Sequence, residues 1–170
     1  MIEANIAIRL IDFTMAMLAF GTASLRLYVP GVARHLDRWL AGMIRIAALA
    51  TLAASLGLVS TTAAQMAGSA AAGFDPAILR TVLLATEFGH IWCWHLGFVA
   101  ALVVAAIWRR GPISNGIVLI LATLSLASLA FVGHAADMQG LSRLGHELNQ
   151  ALQLLAAGAW LGGLPPLYLL

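Results

Sequence analysis

Long apolar runs, each closed by a short cluster of Arg, Gly, Pro or Asp, divide the chain into five stretches. The first runs over about residues 6 to 27 and stops at the breaker Tyr28-Val29-Pro30-Gly31. A loop with Arg34, His35, Asp37 and Arg38 follows, and a second apolar run covers about residues 40 to 66. Arg45 stands close enough to its start to snorkel back to a polar boundary. Residues 68 to 73 form a small-residue connector. Asp75-Pro76 then reads as the N-cap and first helical position of one long third helix ending near Trp108. Arg109-Arg110-Gly111-Pro112 makes a tight basic turn. The fourth run covers about residues 113 to 136, and the fifth extends from about residue 144 to the end of the chain.

Runs of this length, rich in Ala, Leu and Gly and without period-two alternation, predict helices long enough to cross a lipid bilayer rather than the strands of a barrel. The expected architecture is all-α: one transmembrane domain over residues 1–170, a polytopic bundle of about five spans. No linker, repeat or second domain interrupts it.

Composition strengthens that picture. Of 170 residues 62% are hydrophobic and 9% charged, and the mean hydropathy is +0.95. Soluble domains carry roughly 25% charged residues, so this chain has too few charges to cover a surface in water. The net charge of +2 comes without a single lysine. Its arginines sit beside loops, a topology signal rather than a nucleic-acid footprint, and no nucleic-acid partner is expected. The start of the chain does not read as a secretory signal, because Glu3 precedes Arg9 and the following run is too long for a signal core.

Arg26, Arg34, Arg38, Arg45, Arg109 and Arg110 fall at two loops on one side, whereas Arg9, Arg80 and Arg143 fall towards the other with most of the acids. The positive-inside rule makes the first side cytoplasmic and puts the N-terminus outside.

Polar side chains inside the runs carry the remaining information, since ionisable groups in lipid face the bundle interior. In the fifth run His146, Asn149, Gln150, Gln153 and Trp160 share one helical face. That stripe is expected to line a protein interior or a cavity. Asn5, Arg9 and Asp12 form a second stripe, with Arg9 and Asp12 spaced to neutralise each other. Thr51, Ser55, Thr62 and Gln65 form a third, and Thr51, Ser55, Thr62 and Asn149 fit hydrogen bonding between helices.

In the third run Glu87, His90 and Trp94 share a face, with Cys93 at its edge and His95 on another. Counting from Arg109, Glu87 and His90 rise about 28–33 Å along the helix axis, to the outer boundary of the hydrocarbon. His134 and His146 reach the same level. Three imidazoles from three helices could hold a metal ion, with Glu87, Asp137 or Met138 nearby. Imidazole suits copper, zinc and iron, and a thioether favours Cu(I). A histidine at a helix end is also a common interfacial hydrogen-bonding residue. Glu87-x-x-His90 resembles half of a di-iron site, but such bundles need two such motifs and this chain has one.

Two segments are similar to the copper resistance protein D family of bacterial inner-membrane proteins. Thr86-Glu87-Phe88-Gly89-His90-Ile91-Trp92 resembles that family's T-x-F-G-x-x-W stretch. Gly133-His134-Ala135-Ala136 is followed some two dozen residues later by Trp160-Leu161-Gly162-Gly163-Leu164, and Arg9 in the first run also fits. The resemblance implies copper handling, in which copper from periplasmic carrier proteins is moved across the inner membrane. It also marks departures. Family members often have Arg where this chain has His95 and His where it has Gln153, and they usually have about eight spans.

The expectation is therefore a multi-pass inner-membrane protein, not an enzyme, that binds copper as Cu(I) or Cu(II) at its periplasmic face. Its candidate ligands are His90, His134 and His146, with Glu87 and Met138 as helpers. A chain without lysine has no P-loop, so any transport would be driven by a gradient or a partner. The rival is a b-type membrane cytochrome with histidines as axial haem ligands. Covalent c-type haem is excluded, since C-x-x-C-H is absent. A third reading is an assembly subunit whose polar stripes meet partner helices.

Overall fold

The computed structural model describes residues 2–28, 36–108, 112–132 and 141–168, and among these residues every regular element is helical. Helix α1 spans Ile2–Tyr28 and α2 spans Asp37–Met66. A 3-10 turn at Ala70–Phe74 leads to the short α3, Pro76–Ala85, and to α4, Glu87–Ile107. Helix α5 covers Pro112–Ser128 and closes with a 3-10 turn at Leu129–Phe131; α6 covers Leu141–Tyr168. By length and composition α1, α2, α4 and α5 with its closing turn can each cross a membrane. At 28 residues α6 is also long enough, about 42 Å, but its polar stripe makes it less apolar than the others.

The third run is not one helix. Asp75 caps α3 as its sequence predicts, accepting a hydrogen bond from the Ala77 amide at 2.8 Å, with Pro76 at the first helical position. The chain then breaks at Thr86, which is extended at φ −114° and ψ 150°. The Thr86 hydroxyl donates to the Val82 carbonyl at 2.6 Å and accepts from the Gly89 amide at 2.9 Å. One side chain thus closes α3 and opens α4. Gly89 permits the corner, because a Cβ there would lie 2.1 Å from the Val82 carbonyl oxygen.

Helix α1 packs along α2, α5 and α6, while α4 packs on α2 and α5. One apolar cluster gathers Ala19, Ala23, Ile44, Ala47, Ala48, Leu102, Ala106, Val118 and Ala122; a second gathers Ala16, Leu58, Val59, Trp92, Leu126 and Leu129. Alanines dominate the first cluster, because helices in lipid gain from close van der Waals approach rather than from expelling water. Ile6, Leu10, Ile46, Leu56, Val104 and Ile120 point outward, as a lipid-facing surface requires. Arg45 does more than snorkel: its Nε donates to the Ala106 carbonyl at 3.0 Å, satisfying an acceptor at the C-terminal end of α4.

Candidate functional site

Two polar constellations emerge. The first ties the starts of α4 and α6 together. Arg143, in the first turn of α6, donates from Nε to Glu147 Oε1 at 2.8 Å and from Nη2 to Glu87 Oε1 at 2.7 Å. Two carboxylates on one guanidinium, Glu147 the stronger, hold its protonation even more firmly than an arginine's usual state. Glu87 opens α4, where a carboxylate also meets the positive end of the helix dipole.

His90 lies one turn into α4 from Glu87, and His146 three residues into α6 from Arg143. Both are exposed. His134 and Met138, like Asp137, fall outside the described residues. Among the described residues no three His, Cys, Asp or Glu side chains come together as a metal site would require. Glu87 is engaged by Arg143, and Cys93 is exposed, with Sγ 3.9 Å from the Leu83 carbonyl.

His146, Asn149, Gln150 and Gln153 line a cleft of about 440 Å³ with Arg9, Phe13 and Val132. The polar stripe of α6 therefore faces a cavity shared with α1. Trp160 departs from it and is 72% exposed. The face of α6 that meets α1 there is made by Gly158 and Gly162, which turns Trp160 away.

The second constellation is buried at mid-bundle, where Ser55, His95 and Ser125 separate the two apolar clusters on α2, α4 and α5. Asp12, Ser55 and His95 are each 0% exposed. The Ser55 hydroxyl lies 2.7 Å from Asp12 Oδ1 and 3.0 Å from His95 Nε2. His95 Nε2 is 3.7 Å from Asp12 Oδ2. On the other side of the ring, Nδ1 lies 2.8 Å from Ser128 Oγ and 3.1 Å from the Ser125 carbonyl. Trp92 stands against the imidazole at a centroid distance of 4.8 Å and donates its indole N–H to the Ser55 carbonyl at 3.0 Å; Phe88 stacks on Trp92 at 5.0 Å.

Sequence reasoning missed this cluster. It grouped Asp12 with Arg9, yet the carboxylate turns inward to Ser55 while Arg9 is exposed on the cleft. It read Ser55 correctly as a helix-to-helix hydrogen-bonding residue, but it set His95 aside and did not bring the two together. A signal was present: Phe88, Trp92 and His95 are spaced i, i+4, i+7, the stripe of a buried helix face.

The motif residues can now be given structural work. Thr86 and Gly89 build the corner, Trp92, backed by Phe88, walls the buried imidazole, and Gly158 and Gly162 seat α6 on α1. Residues 1–144 match the family described as copper resistance protein D-like, N-terminal domain. The chain belongs to the copper resistance protein D family. It is 34% identical over 163 residues to inner membrane protein YebZ of Escherichia coli (strain K12), covering 95% of this chain and 56% of that protein. It is 30% identical over 165 residues to copper resistance protein D of Pseudomonas syringae pv. tomato, covering 94% and 53% respectively. The chain thus spans about half the length of these relatives. No solved structure matches it. Membership of the copper resistance protein D family, a relative named as an inner-membrane protein and, among the described residues, four helices long and apolar enough to cross a membrane make this a multi-pass inner-membrane protein.

Proposed function

We propose that this member of the family binds copper at the face where α4 and α6 begin and hands it across the membrane, with copper as cargo rather than as a resident cofactor. The observation that carries this reading is the Arg143 bridge to Glu87 and Glu147, which ties together the two helix ends that bear His90 and His146. His134 and Met138 fall in the sequence between α5 and α6, outside the described residues, and enter this reading from the sequence. In this reading the imidazoles ligate, Met138 supplies a thioether that favours Cu(I), and Glu87 fixes the helix ends through Arg143. The arginine asymmetry of the loops supports a periplasmic placement of this face, where carrier proteins would deliver the ion.

Copper titration of the purified chain in lipid nanodiscs, read by metal analysis, tests the reading. His134→Ala should remove most of the affinity and His35→Ala almost none. Binding should weaken as pH falls through the histidine range near about 6.5, because a protonated imidazole cannot ligate. Copper affinity indifferent to His90→Ala, His134→Ala and His146→Ala alike would overturn it. A visible spectrum carrying haem bands would replace it with electron transfer.

A further inference from the structure

The buried cluster is not explained by copper binding at a helix end. Asp12 lies on α1, Ser55 on α2, His95 on α4 and Ser128 on α5, so four helices converge on one imidazole. Ionisable groups at such a depth are costly, and the usual reason a membrane protein retains them is an ion or proton path.

Counting hydrogens at each atom defines what the cluster can do. The Ser128 hydroxyl donates its proton to the Ser125 carbonyl at 2.7 Å. Both atoms facing His95 Nδ1 are then acceptors, and Nδ1 carries a proton. The opposite side is different, because Ser55 has one hydroxyl proton and two neighbours. When that proton points to the Asp12 carboxylate, Nε2 must carry a proton of its own to face the serine lone pair. The pair is then carboxylate and imidazolium. When it points to Nε2, Asp12 must be protonated and donate to Ser55, and both groups are neutral. The two arrangements share the same heavy-atom positions and the same number of protons. They interconvert by two short transfers: Nε2 gives its proton to Ser55 Oγ as the hydroxyl proton passes to Asp12 Oδ1. The reverse transfers restore the ion pair, with no oxidation and no other bond broken.

A cluster that only glued helices together is expected to pair nearly all of its polar atoms. Asp12 Oδ2 is buried and, among the described residues, has no hydrogen-bond partner. Asp12 is not itself in the cleft lining, but Arg9, one turn before it on α1, and Phe13, next to it in the chain, both line that cleft with His146. The orphan oxygen and the adjoining cleft supply what a sealed structural pair lacks.

We propose that Asp12, Ser55 and His95 form a membrane-buried proton-exchange site, in which one proton passes between carboxylate and imidazole through the serine hydroxyl and is exchanged on the Asp12 side. The ionisable neighbours are few. Arg9 precedes Asp12 by one turn of α1, and His146 of α6 shares its cleft; Glu147 of α6 is held by Arg143. Helix α2 contributes the hydroxyls Thr51 and Ser55, α5 has no titratable side chain, and Glu87, His90 and Cys93 of α4 lie on its exposed face. The site does not depend on the copper reading, and its test needs no copper.

The full chain in lipid nanodiscs, titrated by infrared spectroscopy of the protonated carboxyl and by nitrogen NMR of the histidines, tests it. The Asp12 carboxyl, identified by its loss in Asp12→Asn, and the His95 imidazole should report the same midpoints, because the shared proton titrates as a property of the pair. Ser55→Ala should give each group a midpoint of its own, and Ser55→Thr, which keeps the hydroxyl, should restore common midpoints. Should Ser55→Ala fail to fold, His95→Gln makes the comparison, and the carboxyl midpoint must move. An Asp12 and a His95 that hold one protonation state wherever the chain is folded would overturn the proposal. So would two independent steps in the unmodified chain, or a carboxyl midpoint unmoved by His95→Gln.

Discussion

Gly21 of α1 and Gly162 of α6 meet backbone to backbone. A Cβ added to Gly21 would lie 2.6 Å from the Gly162 Cα, and one added to Gly162 would lie 2.7 Å from the Gly21 Cα. Gly158, one turn earlier on α6, offers its carbonyl 2.2 Å from the same hypothetical Gly21 Cβ. The Thr22 hydroxyl donates to the Gly162 carbonyl at 3.4 Å. This is small-residue packing of the kind that lets membrane helices approach closely.

Overpacking that contact should therefore separate the helices. Gly162→Leu is expected to cost about 1–3 kcal/mol or more, seen as a lower unfolding temperature in detergent and faster proteolysis of α6. Gly163→Ala, where an added Cβ meets nothing within 4 Å, should be tolerated. Equal damage from both variants would mean that the α1–α6 contact is not what holds α6.

At the α3–α4 corner the two key residues should behave differently. Thr86→Ala removes a cap and should cost about 1 kcal/mol. Gly89→Ala drives a methyl into the last turn of α3 and should cost more, with local opening visible as faster amide exchange at residues 82 to 90. A silent Gly89→Ala would show that the corner has room the packing does not provide.

The Arg143 bridge has a defined pH signature. A cation whose protonation is strengthened on folding contributes stability below its unfolded pKa and loses it only as pH rises through the folded one. For Arg143 that window lies beyond the alkaline range in which the protein can be handled. Raising the pH should leave the α4 and α6 ends joined, whereas Arg143→Gln should part them at any pH. Spin labels at Phe88 and Leu144 would report the change, and an alkaline opening in the unmodified chain would contradict it.

Orientation is open to direct measurement. In a Cys93→Ser background, Arg110→Cys and Gly140→Cys should react with membrane-impermeant reagents from opposite sides, Gly140→Cys from the periplasm. Labelling of both from one side would remove the periplasmic placement of the copper face.

What could be read from sequence follows from what each signal depends on. Apolar run length depends only on the bilayer, so the helical bundle and the Asp75-Pro76 start of α3 were legible. The Thr86 break was not, because a threonine with a glycine three residues on is a weak helix stop until the next helix is seen to restart there. Helical phase revealed that His146, Asn149, Gln150 and Gln153 act together, and they do share a cleft. It could not show that Asp12 and His95 meet. Phase describes one helix at a time, and their meeting depends on how α1, α2 and α4 are rotated against one another. Trp160 was misjudged for the same reason: the face of α6 that reaches α1 was decided by Gly158 and Gly162, not by the polar residues.

The glycine contact bears on how the protein is made. Helix α6 carries a polar face that lipid alone would receive poorly, while α1 is apolar enough to cross on its own. Partitioning from the translocon into the bilayer is then independent for α1 but conditional for α6, which needs the groove of α1 as a template. Biogenesis inherits an order from this: the receiving helix must already be in place and laterally accessible when its partner leaves the ribosome.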